Sequence, residues 1–306
     1  MRNFQGSIVA IITPFLENGL IDYDAYQGLL DFHLQNGTNG IVVCGTTGET
    51  PTLTEVEYRN IIQFTVKYIN GRLPVIAGSG SNSTHKAIHY SQMAVEAGVD
   101  GLLVVSPYYN KPSATGMYEH FEQVANSVDV PIMLYNVPGR TGKNMPVEVT
   151  LRLARDFENI VAIKEAAGSI EQVMEIINNA PSDFHVLSGD DALALPMIAM
   201  GAKGCVSVVA NQIPKAFSQM IDLALNGNWE RARLLHYQYL DLMNLNFIDS
   251  NPVPVKKVLA MMGMIQETYR NPLTPMNNPQ HIDQLAKEVQ YLGLIESVVA
   301  WSPLVI

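Results

Sequence analysis

Short runs of β-branched and other apolar residues recur along the chain, separated by amphipathic stretches of roughly ten to sixteen residues with helical spacing. Eight runs can be counted: SIVAIIT at 7–13, GIVVC at 40–44, PVIAG at 74–78, GLLVVS at 101–106, PIMLYN at 131–136, IVAIKE at 160–165, HVLSG at 185–189 and GCVSVV at 204–209. Strand runs that alternate with helices are the signature of parallel βα units. Eight in even succession predict an α/β fold, a closed (β/α)8 TIM barrel. An open doubly wound sheet is the alternative, but the glycine fingerprint GxGxxG is missing after the first run.

Helix boundaries support the alternation. Thr54 precedes the acidic start Glu55 and Glu57, Ser83 and Thr84 open another helix, and Pro146 suits a first-turn position. Gly37, Gly71 and Gly98 fall where helices should stop. Beyond residue 226 the strand runs cease. Residues 229–246, 253–262 and 279–292 read as further helices, with a loop at 271–278. No linker or shift in composition interrupts the chain, so the expected organisation is a catalytic barrel over 1–226 with a C-terminal helical extension over 227–306 packed on it.

Composition narrows the reading. Of the 306 residues, 47% are hydrophobic and 16% charged, enough apolar surface for one large core. A net charge of -10 and the absence of a basic run argue against a nucleic-acid partner, whose phosphates require clustered Lys and Arg. Cys44 and Cys205 each sit in or beside an apolar run, which reads as strand core in a reduced compartment. Residues 7–15 are too short to span a bilayer, contain Pro14 and precede no cleavage pattern. A soluble, cytoplasmic protein with no membrane partner is expected.

In a barrel of this kind the active site lies at the C-terminal ends of the strands. Lys164 stands out there. IVAIKE puts an ammonium at the end of an apolar strand, with Ala162 and Lys164 on one face. A desolvated amine at such a position is freed as a nucleophile toward a carbonyl. The competing reading is an ordinary strand-end lysine that reaches solvent or pairs with Glu165.

Tyr135 ends the fifth run, next to the sixth in a singly wound barrel, where a phenol can move protons for imine chemistry or simply fill the core. GTTGE at 45–49 is a tight turn with exposed N–H groups and two hydroxyls, suited to a carboxylate or to a purely structural role. Arg140 lies behind a Pro-Gly turn, where a guanidinium can grip a second carboxylate or form a surface ion pair. The seven histidines are scattered, with no metal-ligand spacing, so no metal is expected.

The motifs GTTGE, PYYNKP, YNVPGRTG, IKEAAG, SGDDA and NPVPVK occur in this order and spacing. From about Gly6 to the end the chain resembles the dihydrodipicolinate (4-hydroxy-tetrahydrodipicolinate) synthase family of class I aldolases. The resemblance implies a cofactor-free lyase of diaminopimelate and lysine biosynthesis that condenses pyruvate with aspartate 4-semialdehyde. It implies Lys164 as the imine-forming lysine, Tyr135 as the proton-transferring tyrosine, and Thr47 as the hydroxyl linking it to Tyr109 of a neighbouring subunit.

Thr46 and Thr47 would then hold the pyruvate carboxylate and Arg140 that of the semialdehyde. Gly189 and Val206 would line the pocket through their backbones, and Tyr108 would pack at the dimer contact. A homotetramer, a dimer of dimers, is implied.

Lysine-sensitive members carry a feedback site between subunits. Asn82 and Tyr108 match that pattern, but Lys86 replaces a glutamate, and Glu55 and Tyr58 replace histidines. Weak or absent inhibition by lysine is the expectation. The nearest rivals share the fold and the lysine: N-acetylneuraminate lyase and sugar-acid aldolases, against which Arg140 and the paired tyrosines speak. A barrel that only binds or senses is the remaining class, and the presence of all the proposed groups together argues against it.

Overall fold

The computed structural model describes residues 4–295; positions 296–306 of the expected extension lie outside the described residues. The strands are β1 (Gly6–Ala10), β2 (Gly40–Val43), β3 (Val75–Gly78), β4 (Gly101–Val105), β5 (Ile132–Asn136), β6 (Ile160–Glu165), β7 (His185–Ser188) and β8 (Gly204–Ser207). They form a closed barrel in sequence order, every pairing parallel, with β8 returning to β1.

Around it lie α1 (Tyr23–Gln35), α2 (Glu55–Ile69), α3 (Thr84–Glu96), α4 (Ala114–Ala125), the single turn α5 (Pro138–Thr141), α6 (Val147–Asp156), α7 (Ile170–Asn179), α8 (Ala194–Ala199) and α9 (Pro214–Leu225). Three further helices follow: α10 (Trp229–Leu245), α11 (Val253–Met261) and α12 (Pro279–Tyr291).

Strand alternation divides the apolar residues into two cores. Ile8, Val42, Ile76, Leu103, Met133, Ala162, Leu187 and Val206 point inward and fill the barrel. Their neighbours, among them Val9, Ile41, Val104, Leu134, Ile163 and Val186, point outward beneath the helices. Such a barrel is a packed core, so chemistry is confined to its mouth. Phe4 plugs the opposite end, where its carbonyl accepts a hydrogen bond from His185 Nδ1 at 2.8 Å.

Helix starts follow the side chains that satisfy their free N–H groups. Thr54 and Glu57 make a reciprocal capping box on α2, and Ser83 caps α3. Pro146 stands one place earlier than its expected first-turn position: it is the extended residue before α6, which begins at Val147. Two strands, β1 and β8, stop two or more residues before their apolar runs end. After Ala10, Ile11 N–H still donates to the Val42 carbonyl, but Ile12 N–H donates to Asn211 Oδ1 and Thr13 Oγ1 donates to the Gly48 carbonyl, which turns 12–13 out of the ladder. After Ser207, the N–H groups of Val208 and Val209 donate to Asp191 Oδ2 instead of to a strand.

Two buried acids tie the mouth together. Asp191, in the loop after β7, holds the turn after β8, and burial raises its carboxyl to about 6. Glu49 ends the GTTGE turn in a left-handed backbone conformation, φ 55°. Its Oε1 accepts from Lys256 Nζ at 2.6 Å, with both side chains fully buried, and its Oε2 accepts from Arg270 N–H at 3.3 Å. Arg270 also grips Glu57 and the carbonyls of Gly19 and Thr52. The segment around α11 is thereby anchored to the loops of β1 and β2.

Lys256→Met strands a buried carboxylate and is expected to cost about 3–5 kcal/mol in urea unfolding. The double variant Glu49→Gln/Lys256→Met should recover most of that loss; equal losses in both would show that the pair contributes only volume. For Asp191 the folded state holds a proton more tightly than the unfolded chain. Stability should therefore fall as pH rises from about 4 to about 6 and stay level above. Asp191→Asn should flatten that decline, as urea midpoints measured across the range would show.

Candidate active site

Lys164 continues the inner face of β6 one layer above Ala162 and is 5% exposed. In the strand register it stands opposite Tyr135, and its Nζ lies 4.4 Å from the centre of the Tyr135 ring. It makes no hydrogen bond or ion pair with another described residue. Pairing with Glu165 is ruled out by where that carboxylate goes. Glu165 accepts from Asn136 Nδ2 at 3.0 and 3.1 Å, from Ala167 N–H at 2.7 Å and from Gln172 Nε2 at 2.9 Å. Burial raises its pKa, and these bonds to the charged form oppose the rise. The amine is thus enclosed, beside a phenol, with its sequence neighbour turned away.

Gly189 sets how closely the chain after β7 passes that amine. A Cβ there would lie 2.7 Å from Ala166 Cβ and 3.0 Å from Lys164 Cε, so a side chain would clash with Ala166 and crowd the lysine. Val206, on β8, lies in the same interior cluster as Tyr135.

The turn after β2 carries two hydroxyls in one 3-10 turn, Thr46–Gly48. Thr50 Oγ1 donates to the Gly45 carbonyl at 2.8 Å, and together with the Thr13 bond to Gly48 this fixes the turn. Thr47 is buried, and its Oγ1 accepts from Asn251 Nδ2 at 3.0 Å. Arg140 sits on α5, its Nη2 donating to the Asn251 carbonyl at 3.4 Å. No carboxylate of a described residue pairs with that guanidinium.

A cavity of about 460 Å³ opens over these residues, with Thr46, Tyr135 and Arg140 on its wall beside Asn82, Lys86, Tyr90 and Tyr108. Two cations and no Asp or Glu line it, a field that attracts anionic ligands. Lys164 touches this wall through Tyr135, and Gly189 reaches it through Lys164. Lys164, Thr47, Gly189 and Val206 are not on the wall themselves. Tyr109 stands apart, 88% exposed in a left-handed conformation, φ 69°. Among the described residues no group of three His, Cys, Asp or Glu is placed to hold a metal ion.

The pattern that predicts a helix over 253–262 gives Asn251, just ahead of it, no role, yet Asn251 reaches both Thr47 and Arg140. The same pattern gives no sign of Lys256, Glu49 and Arg270 as the anchor behind the GTTGE turn. The signal available was a lysine pair beside prolines in an otherwise apolar helix, and only one of the two lysines, Lys256, is fully buried.

The chain matches the model of the dihydrodipicolinate synthetase family over residues 3–292. It is 48% identical to a 4-hydroxy-tetrahydrodipicolinate synthase of Chlorobium phaeobacteroides, covering 96% of this chain and 99% of that one. It is 49% identical to the enzyme of the same name from Aquifex aeolicus, over 95% and 98% of the two chains. The crystal structure of dihydrodipicolinate synthase from Aquifex aeolicus superposes with a TM-score of 0.93, covering 96% of this chain and all of that one. A match this long and this close, on a barrel whose mouth carries an enclosed lysine, places the protein in the dihydrodipicolinate synthetase family of lyases.

Proposed function

We propose that the protein condenses pyruvate with aspartate 4-semialdehyde through a Schiff base at Lys164, in diaminopimelate and lysine biosynthesis. The observation that carries this reading is the Lys164 amine: buried, without an ion-pair partner and 4.4 Å from the Tyr135 ring centre. Its nitrogen adds to the pyruvate C2 carbonyl, the carbinolamine loses water, and the resulting imine loses a methyl proton to become an enamine. The enamine carbon forms a bond to the aldehyde carbon, whose oxygen takes up a proton. The amino group of the second substrate then attacks C2, displaces Lys164 and closes the ring.

Tyr135 is the nearest phenol to these transfers, and Thr47 and Tyr109 extend the relay. Tyr109 is too exposed to act in its own cavity, which supports its use in a neighbouring subunit and a dimer-based homotetramer. Thr46 and Thr47 receive the pyruvate carboxylate. Arg140, on the cavity wall with no carboxylate partner, receives that of the semialdehyde. Gly189 and Val206 shape the floor. The scheme needs no cofactor and suits a cytoplasmic enzyme; among the described residues no helix is long and apolar enough to cross a membrane.

Borohydride reduction in the presence of pyruvate should leave a stable adduct on the peptide that contains Lys164, located by mass mapping. No adduct there would end this reading. Turnover with aspartate 4-semialdehyde should exceed that with sugar aldehydes; the reverse order would assign the site to a sugar-acid aldolase.

The same cavity bears on regulation. Lys86 is on its wall and no carboxylate is. Glu55 is exposed and pairs with His89 at 3.5 Å, while the Tyr58 hydroxyl donates to the Gly78 carbonyl. An effector ammonium meets a cation where it needs an anion. L-Lysine is expected to leave the steady-state rate nearly unchanged, and tight saturable inhibition would contradict this.

A further inference from the structure

Asn136 ends β5 and Glu165 ends β6, each one residue beyond Tyr135 and Lys164, and the register sets them opposite each other. Strand alternation turns this second pair outward, and both side chains are buried. Below them on the same face the paired residues are apolar, Leu134 and Ile163. The Asn136 amide is oriented by its surroundings. Its Oδ1 accepts from Met145 N–H at 3.0 Å, so Nδ2 faces both oxygens of Glu165, at 3.0 and 3.1 Å, and Asn144 Oδ1 at 2.8 Å. Ala167 N–H and Gln172 Nε2 occupy the remaining acceptor sites of the carboxylate.

The main chain repeats the link. Ala166 N–H donates to the Asn136 carbonyl at 2.9 Å, and Gly189 N–H donates to the Glu165 carbonyl at 2.8 Å. Among the described residues no cation pairs with Glu165, so its burial is offset by neutral donors from β5, the loop after β6 and α7. Bonds to an ionised acceptor are strong and directional. A slide of one strand end past the other would break several of them at once.

We infer that Glu165 is a positioning residue whose carboxylate, clamped by Asn136 and Gln172, locks the ends of β5 and β6 together and so holds the Lys164 amine against the Tyr135 ring. The inference rests on the proposed Schiff-base chemistry of that pair. Glu165 faces away from the cavity and touches no reacting atom.

Glu165→Gln is nearly isosteric, yet its amide must turn a donor toward one of the N–H groups that now meet an oxygen. The extent of imine formation at saturating pyruvate needs only the amine, whereas removal of the methyl proton needs amine and phenol aligned. Borohydride trapping of pyruvate at Lys164 should therefore reach the same extent in the variant. Exchange of the pyruvate methyl protons with deuterated solvent should slow by about 10- to 100-fold, the scale of a misplacement of about 1 Å. The kcat should fall alike, with KM for pyruvate little changed. Gln172→Glu sets a second carboxylate against the first and should also slow exchange. Combined with Glu165→Gln it offers the new amide an acceptor, and the double variant should recover most of the lost rate.

Melting temperatures accompany each variant. If Glu165→Gln does not fold, Gln172→Glu, at a half-buried position on α7, carries the test. Unchanged exchange per trapped imine, trapping and exchange that fall together with the melting temperature, or a double variant no faster than the singles would overturn the inference and leave the Schiff-base reading intact. Absence of a pyruvate adduct on the unaltered protein would instead remove the reading on which it rests.

Discussion

The parallel register of the closed barrel is the constraint on which the rest depends. Because side chains alternate along each strand and the strands are closed in order, the inward positions form stacked layers. Met133 pairs with Ala162 in a dry layer, and two residues on, Tyr135 pairs with Lys164 at the mouth. A shift of one residue in either strand would send the phenol or the amine outward beneath the helices. The enclosure of the amine is therefore set by strand pairing, and the barrel beneath it serves as an apolar floor that admits no competing partner.

A second layer of order comes from outside the barrel. Short turns such as the one after β2 do not hold themselves in one shape against the entropy of alternatives. Here the segment that contains α11 supplies what they lack: Lys256 under Glu49, Arg270 across Glu57, Gly19 and Thr52, and Asn251 on Thr47. Burying an ion pair is costly in itself and contributes little net stability. Its effect is specificity, since Glu49 in its left-handed conformation has one place to go, and Thr46 and Thr47 are carried with it.

The electrostatics of the mouth follow the same division. The chain as a whole is acidic, with a net charge of -10, yet the cavity wall presents Lys86 and Arg140 without an acid. The acids closest to the chemistry are directed away: Glu165 into Asn136 and Gln172, Asp191 into the backbone after β8. Anions are therefore drawn to a small positive region on a negative surface, where low dielectric and focused field lines strengthen the attraction.

The amino-acid sequence by itself determined the fold, because eight nearly continuous apolar runs between helical stretches leave few arrangements other than a parallel sheet buried on both faces. It also marked Lys164, since an ammonium that ends an apolar strand conflicts with its surroundings. Strand ends were less legible: Ile12, Val208 and Val209 continue the apolar runs, but Asn211 and Asp191 draw their hydrogen bonds out of the ladder. Only the tertiary structure decided whether Lys164 was paired, since Glu165 is adjacent in sequence and turned away in space. Only it showed that Asn251, some two hundred positions from Thr47, completes that hydroxyl. Periodicity reports which side of an element a residue faces; which distant group meets it there depends on how the chain closes, and local pattern carries no record of that.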